Sequence, residues 1–182
     1  MGALRVEYLP QYKIEDYYKW EGDWELIKGI PYSMAPSPIK LHQQIIGKIW
    51  SEIDKNLECK ECDVTLDTDY IVDEETVLRP DVAVVCNDFS SKITKTPEII
   101  FEVVSPSTVH KDLNLKYMIY EEEKVKYYVL VFPNELIAKV YKLNGNKYEK
   151  VGSFREEKVE FDIECSLTVD FDNIFKRFKE KI

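Results

Sequence analysis

Leu41, Ile45, Ile49, Ile53 and Leu57 recur every fourth position, with Ile46 and Trp50 beside them, and predict a long amphipathic helix from Ile39 to Leu57. Ser37, just ahead of Pro38, is the expected cap. A different pattern follows. Val82 to Val85 and Ile99 to Val104 are nearly continuous apolar runs, as expected of strands covered on both faces. A helix from about Lys111 to Glu123 then leads to Lys126-Tyr127-Tyr128-Val129-Leu130-Val131, a third buried strand. Strand, helix and strand in that order predict a right-handed parallel crossover.

Around this centre the signals are shorter. Ile14 to Trp20 reads as a brief helix, and Trp24 to Met34 as a hairpin turning at Lys28-Gly29, with Pro31 marking its second arm as an edge strand. Val64 to Leu66 and Tyr70 to Val72, followed by the acidic turn Asp73-Glu74-Glu75, predict a meander into the central strands. Ile137 to Leu143 and Tyr148 to Phe154 flank Asn144-Gly145-Asn146, a strong hairpin signal. The chain closes with a strand over Val159 to Ile163, a connection through Leu167 and Val169, and a short helix near Phe171 to Phe178. At 182 residues these elements are expected to form a single domain spanning 1–182, with its core at about 12–175.

Composition narrows the function classes. The chain is 45% hydrophobic with 12 Tyr and 8 Phe, enough to bury a sizeable core. A formal charge of −9 argues against coating nucleic acid through bulk electrostatics, although the lysines of 111–126 and 139–150 are candidates for a local basic patch. There is no apolar signal core near Met1, no 18-residue apolar run, and Val6 stands where a myristoylation site wants Ser or Thr. The expectation is a soluble, cytoplasmic protein with no membrane partner. Cys59-Lys60-Glu61-Cys62 has the spacing of half a zinc site or a redox pair, but a structural zinc wants a second close pair and Cys86 and Cys165 are far apart in sequence, so reduced, incidental thiols are expected.

The candidate chemistry lies between Arg79 and Tyr120. Asp81 follows Pro80 at the mouth of one apolar run, and Glu102 sits inside the next, 21 residues on. If the two strands are neighbours, their carboxylates converge. Acids in buried strands are costly unless paired or metal-bound. Hard ions such as Mg²⁺ or Mn²⁺ bind through a few carboxylate oxygens plus waters, and the Val103 carbonyl adds a third oxygen. Lys116, close to the stripe Leu113, Tyr117 and Tyr120, is the candidate to orient an attacking water or stabilise negative charge; the bland alternative is a lysine snorkelling to solvent.

Pro80-Asp81, Glu102-Val103-Val104-Ser105-Pro106-Ser107-Thr108, and Asp112 with Lys116 and Tyr120, preceded by Glu25-Leu26-Ile27-Lys28-Gly29 and His42-Gln43, resemble the Uma-type family of restriction endonucleases, within the PD-(D/E)XK nuclease superfamily. The resemblance covers roughly 12–175. It implies an α/β, restriction-endonuclease-like mixed β-sheet flanked by helices, and a metal-dependent phosphodiesterase site with Asp81 and Glu102 on the ion. The superfamily's lysine is expected two residues after the acid, where this chain has Val104; the resemblance moves that role to Lys116. Glu25 matches an early acidic position and is expected as a further ligand or water-positioning group, against the alternative of an exposed hairpin residue. His42 is expected near the site, and Asp112 as a helix cap or dipole partner. Ser105 and Ser107 lack a nucleophile elbow and read as loop and cap residues.

Two function classes follow. One is a Mg²⁺-dependent endonuclease acting on DNA, with Asp81, Glu102, Lys116 and Glu25 as site residues. The other is a non-catalytic binding or assembly domain that keeps the fold. Edge strands such as Tyr32 to Met34 or the 137–154 hairpin are candidates to build a homodimer, placing two sites on two DNA strands.

Overall fold

The computed structural model describes residues 9–34, 39–106 and 108–179; the expected cap Ser37, Pro38 and Ser107 lie outside them. In chain order the elements are α1 (Ile14–Tyr17), β1 (Trp24–Ile27), β2 (Ile30–Ser33), α2 (Lys40–Asn56), β3 (Cys62–Leu66), β4 (Tyr70–Asp73), β5 (Thr76–Leu78), β6 (Val82–Cys86) and β7 (Ile99–Val103). A π-helical turn (Lys111–Lys116) runs into α3 (Tyr117–Glu122). Then come β8 (Tyr127–Phe132), β9 (Ile137–Asn144), β10 (Lys147–Phe154), β11 (Lys158–Phe161), β12 (Leu167–Asp170) and α4 (Phe171–Phe175), which ends in a 3-10 turn (Lys176–Phe178).

The central sheet has six strands in the order β10-β9-β8-β7-β6-β3. Only β7 and β8 are parallel, joined by the helical crossover that the 99–131 pattern predicts. Alternation along the strands splits the core. Val82, Val84, Ile99, Phe101, Val103, Val129 and Val131 pack with Ile45, Ile49 and Ile53 of α2 and with Phe171 and Phe175 of α4. Ala83, Val85, Ile100, Val104, Tyr128 and Leu130 face the other way, toward Ile119 and Tyr120 of α3. Both faces are covered, so the strands need apolar residues at successive positions.

A smaller antiparallel sheet, β2-β1-β5-β4, brings β1 beside the crossover. Its β1–β2 turn uses Lys28 and Gly29 at φ of 50° and 77°, a left-handed geometry that suits glycine, and β2 with Pro31 is the edge strand the sequence predicts. The expected meander is divided: β3 pairs with β6 in the central sheet, whereas β4 and β5 join the small one. The supposed connection through Leu167 and Val169 is a strand, β12, paired antiparallel with β11, and its inward Leu167 and Val169 are fully buried. Among the described residues no helix is long and apolar enough to cross a membrane.

The cysteines correct the sequence expectation outright. They are neither scattered nor free: Cys59 is paired with Cys165 and Cys62 with Cys86, and the two pairs touch, with the Cys62 and Cys165 sulfurs 3.3 Å apart. Sequence separations of 106 and 24 residues concealed this, because only the packing of β11–β12 beside the end of β3 brings the four together.

Candidate active site

Register places the two acids. Val82 lies opposite Phe101 in the antiparallel β6–β7 pair, which sets Asp81, one residue before β6, beside Glu102. Residues 81, 83 and 85 alternate with the α2 side, as do 100, 102 and 104, so both carboxylates belong to the α3 side of the sheet. The Val103 backbone N–H donates to Asp81 Oδ2 at 2.7 Å and holds the carboxylate against β7.

Helix α3 and its preceding turn supply the cation. Asp112, Lys116 and Tyr120 recur every fourth residue and are all buried, so one stripe of the helix faces the acids. Lys116 is 2% exposed, and its Nζ lies 2.8 Å from Glu102 Oε1 and 2.8 Å from Glu25 Oε1. Its third donor reaches the Arg79 carbonyl at 3.3 Å. This is not a lysine snorkelling to solvent, and Glu25 is not an exposed hairpin residue: it is 0% exposed. Tyr120 donates from its hydroxyl to Glu102 Oε1 at 2.9 Å.

Sequence reasoning missed three partners. Lys111 ion-pairs with Glu25 Oε2. Arg79 donates its backbone N–H to Glu25 Oε1 at 3.0 Å, while its guanidinium fans onto Asp23 and Asp67. Asp112 makes no cap bond but lies in the first turn, as expected of a dipole partner; it is also buried, and its backbone carbonyl accepts from the Tyr128 hydroxyl at 2.9 Å. The four-residue spacing 112, 116, 120 was the available signal for Asp112, whereas Lys111 and Arg79 meet Glu25 only because the small sheet packs beside the crossover. His42, as expected, is near: its Nε2 lies 3.6 Å from Asp81 Oδ2, and its Nδ1 is buried without a hydrogen-bond partner among the described residues.

The electrostatics are those of a site with too much negative charge. Burial is the main force pushing Asp81 up to about 6, against the pull of His42, Lys116 and the Val103 N–H, with Asp112 adding to the rise. Burial likewise lifts Glu102 well above the usual carboxylate range; Lys116 opposes it, and Asp81, Asp112 and Glu25 reinforce it. Burial works against the Glu25 carboxylate too, but Lys116 and Lys111 outweigh it and hold this acid below its ordinary value. The Lys116 amine is desolvated, yet Glu102, Glu25 and Asp112 together raise it well above the ordinary lysine value. Four carboxylates (Glu25, Asp81, Glu102 and Asp112) face two lysines, Lys111 and Lys116. The donor set is all oxygen, the chemistry that hard divalent cations take.

The sequence profile of the Uma2 family, described as "Putative restriction endonuclease", matches residues 14–168. The chain belongs to the Uma2 family. Its fold is similar to that of a solved protein described as "a putative nuclease belonging to DUF820 from Anabaena variabilis", with a TM-score of 0.70, 16% identity, and 90% of this chain and 97% of that chain covered. At that identity the likeness speaks for the fold, a restriction-endonuclease-like mixed sheet flanked by helices. No curated protein matches the chain. In this Uma2 chain position 104, just past β7, is a buried Val, and the amine beside Glu102 comes from Lys116 of the helical crossover.

Proposed function

We propose that this Uma2 chain is a metal-dependent endonuclease that hydrolyses phosphodiester bonds of DNA in the cytoplasm. The observation that carries the proposal is the convergence of Asp81, Glu102, Glu25 and Lys116 at the mouths of β6 and β7. Asp81, Glu102 and the Val103 carbonyl would hold Mg²⁺ or Mn²⁺. When bound, such an ion lowers the pKa of a coordinated water and neutralises charge on the phosphoryl group. Hydrolysis forms a bond from the water oxygen to phosphorus and breaks the bond to the leaving sugar oxygen, which takes up a proton.

The chain's own groups set the stage for that step. All three Lys116 donors are engaged, so the amine acts on a water or a phosphoryl oxygen only by giving up one bond. The bond to the Arg79 carbonyl, at 3.3 Å, is the weakest of the three and the one exchanged. Glu25 keeps the amine protonated and aimed, Lys111 offsets the second oxygen of Glu25, and Tyr120 fixes the rotamer of Glu102. A homodimer through β2 or the β9–β10 hairpin would present two sites to two strands; light scattering at working concentration, giving a dimer mass, tests this.

The same full engagement of Lys116 favours a second reading, a non-catalytic binding or assembly domain whose lysine is a permanent counter-ion. Cleavage of supercoiled plasmid and of duplex oligonucleotides in Mg²⁺ or Mn²⁺ separates the two. The endonuclease requires cutting that EDTA stops and Asp81→Asn abolishes. Unchanged cutting by that variant removes the assignment, and a wild-type protein that neither cuts nor binds Mn²⁺ in calorimetry supports the second reading.

A further inference from the structure

At the opposite end of β6 from Asp81, four cysteines meet. Cys62 and Cys86 are directly opposed in the β3–β6 pair, with Cα atoms 3.9 Å apart. Cys59 arrives from the turn after α2, three residues before Cys62, and Cys165 from the turn between β11 and β12. The sulfurs of Cys59, Cys62 and Cys165 all lie within 4.8 Å of one another, and that of Cys86 is bonded to Cys62.

The two pairs lie in contact with one another. The Cys62 sulfur touches Cys165 at 3.3 Å while bonded to Cys86, so once a reductant opens one pair its thiolate can attack the other. A tetrahedron of metal–sulfur bonds of about 2.3 Å has edges of about 3.8 Å, close to the 3.3 Å between the Cys62 and Cys165 sulfurs, and Cys59 lies within 4.8 Å of both. The C-x2-C turn at 59–62 supplies one ligand pair, as in structural zinc sites, and β6 and the β11–β12 turn supply the other two ligands. The position suits a structural role. Cys62 and Cys86 are buried and pack on the α2-side core, and β3 is an edge strand. No water-filled coordination position is needed there.

We propose that Cys59, Cys62, Cys86 and Cys165 form a tetrathiolate site for a soft divalent ion of the zinc class, which fastens the end of α2, the β3–β6 edge and the β11–β12 turn to one another. A dithiol reductant first opens the two disulfides, supplying four electrons and four protons; the four thiols then release their protons to bind the metal, with no further change of oxidation state. Its donors are all sulfur, and it is separate from the carboxylate site, since five residues of β6 span roughly 16 Å.

The test uses the full chain, purified with reductant and without chelator. Elemental analysis is expected to give one zinc per chain, and Co²⁺ exchanged into the protein is expected to show the visible and charge-transfer bands of tetrahedral thiolate coordination. Cys165→Ala should lose stoichiometric metal, and Cys165→His should regain it with a shifted cobalt spectrum, because a Cys3His set is a competent zinc site and no disulfide is restored by histidine. Should the variants fail to fold, the wild-type cobalt spectrum decides alone. Metal-free protein overturns the proposal, whether its unreduced mass shows two disulfides or its four thiols titrate freely.

Discussion

The two ends of β6 hold their polar groups by opposite means. Asp81 and Cys86 are five residues apart, an odd number, so alternation sends them to opposite faces as well as opposite ends: the carboxylate toward α3, the thiol toward α2. At the Asp81 end the protein carries its own counter-charge, with Lys116 bridging Glu102 and Glu25. At the Cys86 end, among the described residues, no charged side chain bonds to the sulfurs, which pair with one another. A buried acid must have a cation at all times, whereas sulfur tolerates an apolar setting until a metal or another sulfur arrives. The carboxylate site can therefore fold first and bind later, while the thiol cluster is completed only by its bond-forming partner.

The largest effect expected from breaking this contrast is at the lysine. Lys116→Met leaves Glu25 and Glu102 buried without their shared partner and should cost about 3–5 kcal/mol in urea unfolding. A loss below about 1 kcal/mol would show that the acids do not depend on it. For the thiol end, restoring zinc to chelator-treated, reduced protein at about 1,000-fold above its Kd should add about 4 kcal/mol, read as a higher Tm. Asp81→Asn should leave that increment intact; if it does not, the two ends are not independent.

Next in size is the pH dependence of Asp81. Its folded pKa, about 6, lies above the ordinary 3.8, so the folded protein holds this proton more tightly than the unfolded chain. Between about pH 4 and 6 the ionised carboxylate therefore removes stability as pH rises, at most about 3 kcal/mol by pH 7 without divalent cations. Asp81→Asn should be more stable than wild type at pH 7, and the gain should vanish below about pH 4; denaturant midpoints across that range check it. The smallest effect is Tyr120→Phe, which removes one bond to Glu102 and should cost about 1 kcal/mol, with Asp81→Asn and Tyr120→Phe additive only if the carboxylates do not share their load.

Much of the acid site was legible because its parts are local. Asp81, Glu102 and Lys116 lie on two consecutive strands and the next helix, and apolar runs fixed which elements those were. Glu25 was legible only through its family position, since nothing in Trp24 to Ile27 reveals that β1 turns its acid toward the crossover. The meeting of Lys111 with Glu25 and the burial of Asp112 were not legible, because what a residue near a helix start touches depends on the packing against that turn. The strand β12 was missed for a similar reason: four residues alternate too briefly to signal a strand without β11 beside them.

By itself, then, the sequence determined the order of strand, strand, helix and strand, the side of the sheet on which each residue of β6 and β7 lies, and the pair of acids with a lysine. Side-chain period and backbone sterics act over a few residues, so they can be read without knowing what packs where. The tertiary structure alone decided how deeply Glu25 is buried, which second lysine meets it, and that Cys59, Cys62, Cys86 and Cys165 converge. Those facts depend on contacts between segments up to 106 residues apart, and the placement of such segments is set by how whole faces fit together.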